Sequence, residues 1–256
     1  MRVKNGRISG SSVTPPLHPL PPGEGRYDFL RSRQDWNTLR SLRGLLRGVW
    51  KLNIGVFLDR DGTVNEEMGY INHLSRFHIL PRAAEAIRLL NKNGLKVVVA
   101  TNQSGPARGY FPEELIGAVN NKMIDILKEQ DACLDGIYYC PHHREAIVPS
   151  YRVACDCRKP KTGLLKKAAQ ELAIDLSKSY VVGDRFLDIE LAHNAGAKGI
   201  LVLTGYGRGE LMYQGNSNPI RPDFVAEDLL EAADWILQDI RKYSPQSLLY
   251  CSKPCG

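Results

Sequence analysis

The 256-residue sequence contains no long apolar run, no dense set of cysteines and no clear targeting segment. No stretch approaches the ~18 consecutive apolar residues that a membrane span needs. The basic residues near the N-terminus are not followed by an apolar segment, which argues against a secretory signal peptide. Six cysteines are too few for a disulfide framework in a chain of this length and favour a reducing compartment. We therefore expect a cytoplasmic globular protein.

Acidic residues are scarce in residues 1–50, and this scarcity accounts for the whole net charge of +6. That segment has nine Lys or Arg residues and three Asp or Glu residues, whereas the other 206 residues have 25 of each sign. The neutral balance of the main part argues against a nucleic-acid-binding surface on it. Because residues 1–50 are also rich in proline, we expect them to form a disordered basic extension. We expect one domain over 51–242 and a flexible tail over 243–256.

From residue 52 onward, short apolar runs alternate with helical patterns. Strand-length apolar runs lie at 53–58, 95–100, 135–139, 179–182 and 199–203, and helical patterns lie at 82–93, 112–130, 163–173 and 226–242. This alternation predicts an α/β fold, a Rossmann-like parallel sheet with helices on both faces. In such sheets the reactive groups gather at the carboxyl ends of the strands.

Two aspartates, Asp59 and Asp61, follow the first predicted strand in the stretch VFLDRDGTV. Two like charges this close repel each other, so one must be neutralised by a cation or protonated. A calcium-binding EF-hand loop is excluded, because Thr63 and Val64 stand where that loop needs Asp or Asn and then Gly. A solvated acidic turn is the remaining structural alternative.

Polar residues suited to phosphoryl transfer follow two further predicted strands and precede one predicted helix. Thr101 and Asn102 follow the second strand, and Gly183 and Asp184 follow the fourth, with Asp188 four residues beyond Asp184. In addition, Arg158 and Lys159 precede the helix that begins near Gly163. Carboxylates, a hydroxyl and a lysine in this order predict a phosphoryl-transfer site.

This ordered set resembles the haloacid dehalogenase-like hydrolase superfamily over about residues 52–210. The resemblance implies that Asp59 attacks phosphorus to form an aspartyl phosphate. It implies that Asp61 protonates the leaving alcohol and later deprotonates the attacking water, which favours a phosphatase. It also implies that Thr101 and Lys159 donate hydrogen bonds to the phosphoryl oxygens.

The same resemblance implies a Mg²⁺ ion that lets Asp59 stay ionised. Its ligands would be the side chains of Asp59 and Asp184 and the backbone carbonyl of Asp61. Asp188 would not bind the ion itself but would hold the ligands in their orientation.

A cluster of cysteines and histidines lies in the stretch CPHHREAIVPSYRVACDC. Cys140, His142, Cys155 and Cys157 provide three thiolates and an imidazole, which is the ligand set of a closed tetrahedral Zn²⁺ site. The spacing differs from that of ordinary zinc fingers, so the residues alone leave His143 open as the imidazole ligand and Asp156 as an oxygen ligand.

This loop, inserted just before Arg158, is similar to that of a phosphatase subgroup with a minimal cap. The subgroup holds the D-glycero-D-manno-heptose-1,7-bisphosphate 7-phosphatases and the histidinol-phosphate phosphatases. The resemblance implies that Zn²⁺ has a structural role here and that its ligands are Cys140, His142, Cys155 and Cys157.

Residues after the first two strands resemble the heptose bisphosphate enzymes more than the histidinol-phosphate enzymes. We therefore expect removal of the 7-phosphate of the heptose bisphosphate in the synthesis of lipopolysaccharide or surface-glycan precursors. The alternatives are a histidinol-phosphate phosphatase, a zinc-bearing nucleic-acid binder and a polynucleotide 3′-phosphatase. We expect a small-molecule substrate, no nucleic-acid or membrane partner, and a core that can act as a monomer. The expected substrate-binding residues are Glu67, Met68, Gly69, Tyr70, Asn102, Gln103, Ser104, Arg108, Arg158 and Arg185.

Overall fold

The structure, a computed structural model, describes residues 52–243. The predicted extension over 1–50 and, apart from its first residue, the predicted tail over 243–256 lie outside the described residues. None of the helices in the described part is both long enough and apolar enough to cross a membrane.

Six parallel strands form a single sheet with the order β3-β2-β1-β4-β5-β6. The central strand β1 pairs with β2 on one side and with β4 on the other, so the strand order reverses next to β1. In open α/β sheets, ligands bind beyond the carboxyl ends of the strands at such a reversal. The strands are β1 (Gly55–Leu58), β2 (Lys96–Asn102), β3 (Gly136–Cys140), β4 (Tyr180–Gly183), β5 (Lys198–Val202) and β6 (Phe224–Ala226).

Within residues 52–243, six α-helices lie among these strands, and the sequence predicted four of them. The predicted helix over 226–242 is wrong at its start, because residues 224–226 pair with β5 as a sixth strand and the helix begins at Leu229. The helices are α1 (Ala83–Lys92), α2 (Glu114–Lys128), α3 (Gly163–Leu172), α4 (Phe186–Ala195), α5 (Gly207–Gln214) and α6 (Leu229–Tyr243).

Alternate residues of the buried strands supply two separate cores, one on each face of the sheet. Val56 and Leu58 of β1 pack in the larger core with α1, α2 and α6, whereas Phe57 points to the other face, where α3 and α4 lie. Each fully buried large apolar side chain stabilises the fold by ~1.5–3 kcal/mol. The prediction of a parallel sheet covered on both faces is confirmed. The segment from β1 to α1 contains only a short 3-10 helix at Leu74–Arg76, so any cap there is minimal.

Candidate active site

The turn after β1 places Asp59 and Asp61 at the carboxyl edge of the sheet. The Asp59 amide donates to the carbonyl of Val182 on β4 at 2.9 Å, so the strand pairing continues up to the carboxylate itself. The chain then turns back at Gly62, where φ is +80°, a backbone conformation that side chains other than glycine rarely adopt. A Cβ at Gly62 or at Gly205 would collide with the Asp184 carboxylate. These two glycines therefore let the backbone close around Asp184.

Three predicted acidic residues meet around one buried lysine. One carboxylate oxygen each of Asp59, Asp184 and Asp188 lies within 4.8 Å of the other two. Lys159 Nζ lies 3.0 Å from Asp59 Oδ1 and 2.6 Å from Asp188 Oδ1. Lys159, Asp184 and Asp188 are almost fully buried. The cluster therefore combines three acidic groups with one cation in a region largely removed from water.

Burial and mutual repulsion change the proton affinities in this cluster. Burial and the Asp59 carboxylate raise the pKa of Asp184 to about 8. Burial raises the pKa of Asp188 to about 6, because the ion pair with Lys159 offsets only part of its effect. Burial lowers the pKa of Lys159, but the carboxylates of Asp188 and Asp59 more than reverse this, so its pKa is raised. The lysine therefore stays charged beside the three acidic groups.

The residues present fit a hard divalent cation such as Mg²⁺. Among the described residues, Asp184 Oδ1 and Asp188 Oδ2 are buried without a hydrogen-bond partner, which is costly for a carboxylate oxygen. Carboxylate and carbonyl oxygens are the ligands that such cations prefer.

Asp61 and Thr101 are linked through one glutamine. Gln103 Nε2 donates to Asp61 Oδ2 at 2.6 Å and to Thr101 Oγ1 at 3.1 Å. Thr101 lies at the end of β2, directly beside β1, and is 1% exposed. The structure thus brings Asp61, Thr101 and Gln103 together at the same edge of the sheet.

Two other residues predicted to bind substrate lie at or just after the end of β2, and each hydrogen-bonds to a backbone amide. Asn102 Oδ1 accepts a hydrogen bond from the Lys159 amide at 3.0 Å, so this side chain holds the lysine segment. Ser104 is buried, and its carbonyl accepts a hydrogen bond from the Arg108 amide at 3.2 Å.

The predicted loop over residues 67–70 lies beside the residues after β2. Glu67 Oε1 accepts a hydrogen bond from the Gly69 amide, and burial raises the pKa of Glu67. Tyr70 packs edge-to-face against Tyr110, with ring centroids 4.7 Å apart. Arg76, which the sequence did not single out, donates to the carbonyls of Met68 and Tyr70 and so supports the loop.

The three predicted substrate-binding arginines do not all lie together. Arg108 Nη2 lies 3.1 Å from His143 Nε2, and Arg158 Nη1 donates to the His142 carbonyl at 3.0 Å. Both arginines therefore lie near the cysteine-rich loop. Arg185 pairs with Glu210 at 3.2 Å instead. Glu210 was missed by sequence reasoning, and it also accepts the Phe186 amide at the start of α4.

The structure gathers the predicted cysteine and histidine ligands beyond the end of β3. One ligand atom from each lies within 4.8 Å of those of the others. His143 and Asp156 lie outside the cluster: His143 Nδ1 accepts the Glu145 amide, and the Asp156 side chain is 94% exposed. Three sulfurs and one ring nitrogen suit Zn²⁺, so the donor set fits that ion. The gathered residues are Cys140, His142, Cys155 and Cys157.

Comparisons with known proteins agree with this geometry. A family model described as HAD-hydrolase-like matches residues 156–232. The D-glycero-D-manno-heptose-1,7-bisphosphate 7-phosphatase of Thermosynechococcus vestitus is 43% identical over 187 residues, which cover 71% of this chain and 94% of the relative. The chain belongs to the HAD-like phosphatases. The prediction that it resembles haloacid dehalogenase-like hydrolases is confirmed, and the family hydrolyses phosphoric monoesters.

Two further members of the family extend the comparison. The D-glycero-beta-D-manno-heptose-1,7-bisphosphate 7-phosphatase of Escherichia coli K12 is 41% identical over 201 residues, covering 78% of this chain and 95% of the relative. The solved D,D-heptose 1,7-bisphosphate phosphatase from B. bronchiseptica, complexed with magnesium and phosphate, superposes with a TM-score of 0.65 at 34% identity. That superposition covers 73% of this chain and 99% of the solved chain.

The raised pKa of Asp184 predicts that metal-free protein loses stability as the pH rises. The unfolded chain releases this proton near pH 3.8, whereas the folded state holds it until about pH 8. Since the folded state binds more protons between these values, the free energy of unfolding falls through that window. In Asp184→Asn the group no longer titrates, so we expect a shallower fall.

Denaturant unfolding in EDTA between about pH 5 and pH 8 measures both slopes. Asp156→Asn, whose carboxylate is exposed, serves as the control and should keep the wild-type slope. Equal slopes for wild type and Asp184→Asn would contradict the prediction.

Proposed function

We propose that the chain is a Mg²⁺-dependent phosphatase that removes the 7-phosphate of D-glycero-D-manno-heptose 1,7-bisphosphate. The observation that carries the chemistry is the convergence of Asp59, Lys159, Asp184 and Asp188 at the carboxyl ends of β1 and β4. The substrate is supported by relatives bearing this activity at 41–43% identity over nearly their whole length. No comparison favours histidinol phosphate, and the charge-balanced domain gives no support to a nucleic-acid function.

In the proposed reaction, Asp59 is the nucleophile and Asp61 is the acid and base. A carboxylate oxygen of Asp59 forms a bond to phosphorus, and the bond from phosphorus to the ester oxygen breaks. The leaving oxygen takes its proton from Asp61. A water molecule then attacks the aspartyl phosphate and gives a proton to Asp61, which releases inorganic phosphate and restores Asp59.

The remaining residues bind the two phosphates. Lys159, already paired with Asp59, and Thr101 are proposed to donate to the oxygens of the transferred group. Arg108 and Arg158, near the cysteine-rich loop, are proposed to bind the other phosphate. Arg185 is proposed to contact it by exchanging its ion pair with Glu210 for one with the phosphate. The proposed sugar-binding residues are Glu67, Met68, Gly69, Tyr70, Gln103 and Ser104, and Asn102 contributes by holding Lys159.

Mg²⁺ is proposed to be held by the side chains of Asp59 and Asp184 and by the carbonyl of Asp61. When bound, it supplies the positive charge that lets Asp59 and a phosphoryl group approach each other. Asp188 supports the site through its ion pair with Lys159.

Zn²⁺ is proposed for the cluster of Cys140, His142, Cys155 and Cys157, where four protein ligands leave no open position for substrate. Its role would be to order the loop that leads into Arg158 and Lys159. We further propose that the catalytic domain spans residues 51–242, acts as a monomer and works in the cytoplasm.

A phosphate-release panel tests the substrate. We expect kcat/KM with heptose 1,7-bisphosphate to exceed that with histidinol phosphate, fructose 1,6-bisphosphate and a 3′-phosphorylated oligonucleotide. A heptose 7-monophosphate should be slower, because each charge-assisted hydrogen bond to the distal phosphate contributes ~1.5–3 kcal/mol, or ~10–10²-fold. The Asp59→Asn variant should be inactive with every substrate of the panel. A higher kcat/KM with histidinol phosphate would overturn the substrate assignment.

Metal analysis tests the cysteine cluster. Protein purified without chelators should contain about one zinc per chain, since a closed site of this kind binds the ion tightly. Cys157→Ser and His142→Asn should lose the zinc, while Asp156→Asn should keep it. Wild-type protein without zinc would rule out the site.

A further inference from the structure

Arg60, between the two catalytic aspartates, is an arginine that the reaction described above does not use. Its side chain is 2% exposed, although arginine is among the residues least often buried. Its backbone amide donates to Asp59 Oδ1 at 2.7 Å. The backbone and the side chain of one residue therefore contact both the nucleophile and the acid–base residue.

The guanidinium holds the Asp61 carboxylate in one orientation. Nη2 lies 3.0 Å from Oδ1 and 2.9 Å from Oδ2 of Asp61, and Nε lies 3.3 Å from Oδ1. Two side-chain amides complete the set of donors to Asp61: Asn65 Nδ2 reaches Oδ1 at 2.9 Å, and Gln103 Nε2 reaches Oδ2. The Asp61 side chain is still 17% exposed. The carboxylate is thus fixed by its neighbours while part of it remains open to a substrate.

Arg60 is itself fixed from two sides. Nη2 donates to Gln103 Oε1 at 2.9 Å, and Nη1 donates to Asn120 Oδ1 on α2 at 3.3 Å. Gln103 therefore accepts from Arg60 and donates to Asp61, which closes a ring of hydrogen bonds around the carboxylate. A planar guanidinium with several fixed donors suits this arrangement, and the single ammonium group of lysine does not reproduce it.

We infer that Arg60 is a positioning residue that orients Asp61 for proton transfer to the leaving oxygen. This inference rests on the proposed role of Asp61 as the acid. When the bond from phosphorus to the ester oxygen breaks, the electron pair stays on that oxygen, which takes the proton of Asp61. The carboxylate that remains is then stabilised by the Arg60 guanidinium. Esters whose leaving oxygen is strongly basic depend on this proton, and esters with a weakly basic leaving oxygen do not.

Comparing esters with different leaving groups therefore shows whether Arg60 positions the acid or only supports the fold. The parameter to measure is kcat/KM, because it covers the steps up to transfer of the phosphoryl group to Asp59. The two substrates are the best sugar phosphate of the panel and p-nitrophenyl phosphate, whose phenolate leaves without a proton. Asp61→Asn provides the reference, and its loss should be confined largely to the sugar phosphate.

For Arg60→Met we expect kcat/KM on the sugar phosphate to fall by ~10²-fold, the lower range for general acid catalysis. The fall on p-nitrophenyl phosphate should be less than ~5-fold, because that ester needs no acid. In the Asp61→Asn background, Arg60→Met should cause little further loss on the sugar phosphate, since the two residues act in the same step.

Two more variants keep the test independent of folding. Arg60→Lys keeps the charge but not the fork of donors, so it should show the same substrate-selective loss even if Arg60→Met folds poorly. Lys198→Met, which breaks a remote ion pair with Asp239, is the control for reduced stability and should affect both substrates equally. Thermal unfolding of every variant accompanies the kinetics.

Equal losses on the two esters, or an undiminished effect of Arg60→Met in the Asp61→Asn background, would overturn the inference and leave the proposed function intact. A wild-type enzyme that hydrolyses neither ester would overturn the proposed function, and the inference with it.

Discussion

The ion pairs of Lys159 with Asp59 and Asp188 hold these two acidic side chains together, close to Asp184, at the carboxyl ends of the central strands. Without the lysine, burial of these groups would favour their neutral forms, and a neutral Asp59 could not serve as the proposed nucleophile. With it, the three carboxylates in their ionised forms still exceed the positive charge by two, which a bound divalent cation would balance.

Lys159 is positioned by two features that otherwise look unrelated. Asn102, at the end of β2, holds its backbone amide, and Cys157 of the cysteine cluster precedes it by two residues. Arg158, between them, donates to the carbonyl of His142 in the same cluster. The cysteine-rich loop thus contacts the active site through the chain that carries the lysine. A structural metal there would act on catalysis by fixing that chain.

The sequence was sufficient to predict the parallel sheet and the motif residues at its edge, because buried strands have continuous apolar runs and their polar ends stand out. It was insufficient for β6, whose three residues give no periodicity, and for α4, whose apolar pattern is interrupted by the buried Asp188. Arg60 and Glu210 were missed for another reason: their roles depend on partners distant in the chain. The adjacency of Arg60 to both aspartates was the available signal.

The central claim is that Asp59 carries the phosphoryl group during turnover, and a rapid-quench experiment tests it most directly. Asp61→Asn, mixed with p-nitrophenyl phosphate and Mg²⁺, should release a burst of about one p-nitrophenolate per active site, because the second step lacks its base. Peptide mapping after acid quench should then find the phosphoryl group on Asp59. Phosphate released without a protein-bound phosphoryl group, or a phosphoryl group on a different residue, would contradict the account.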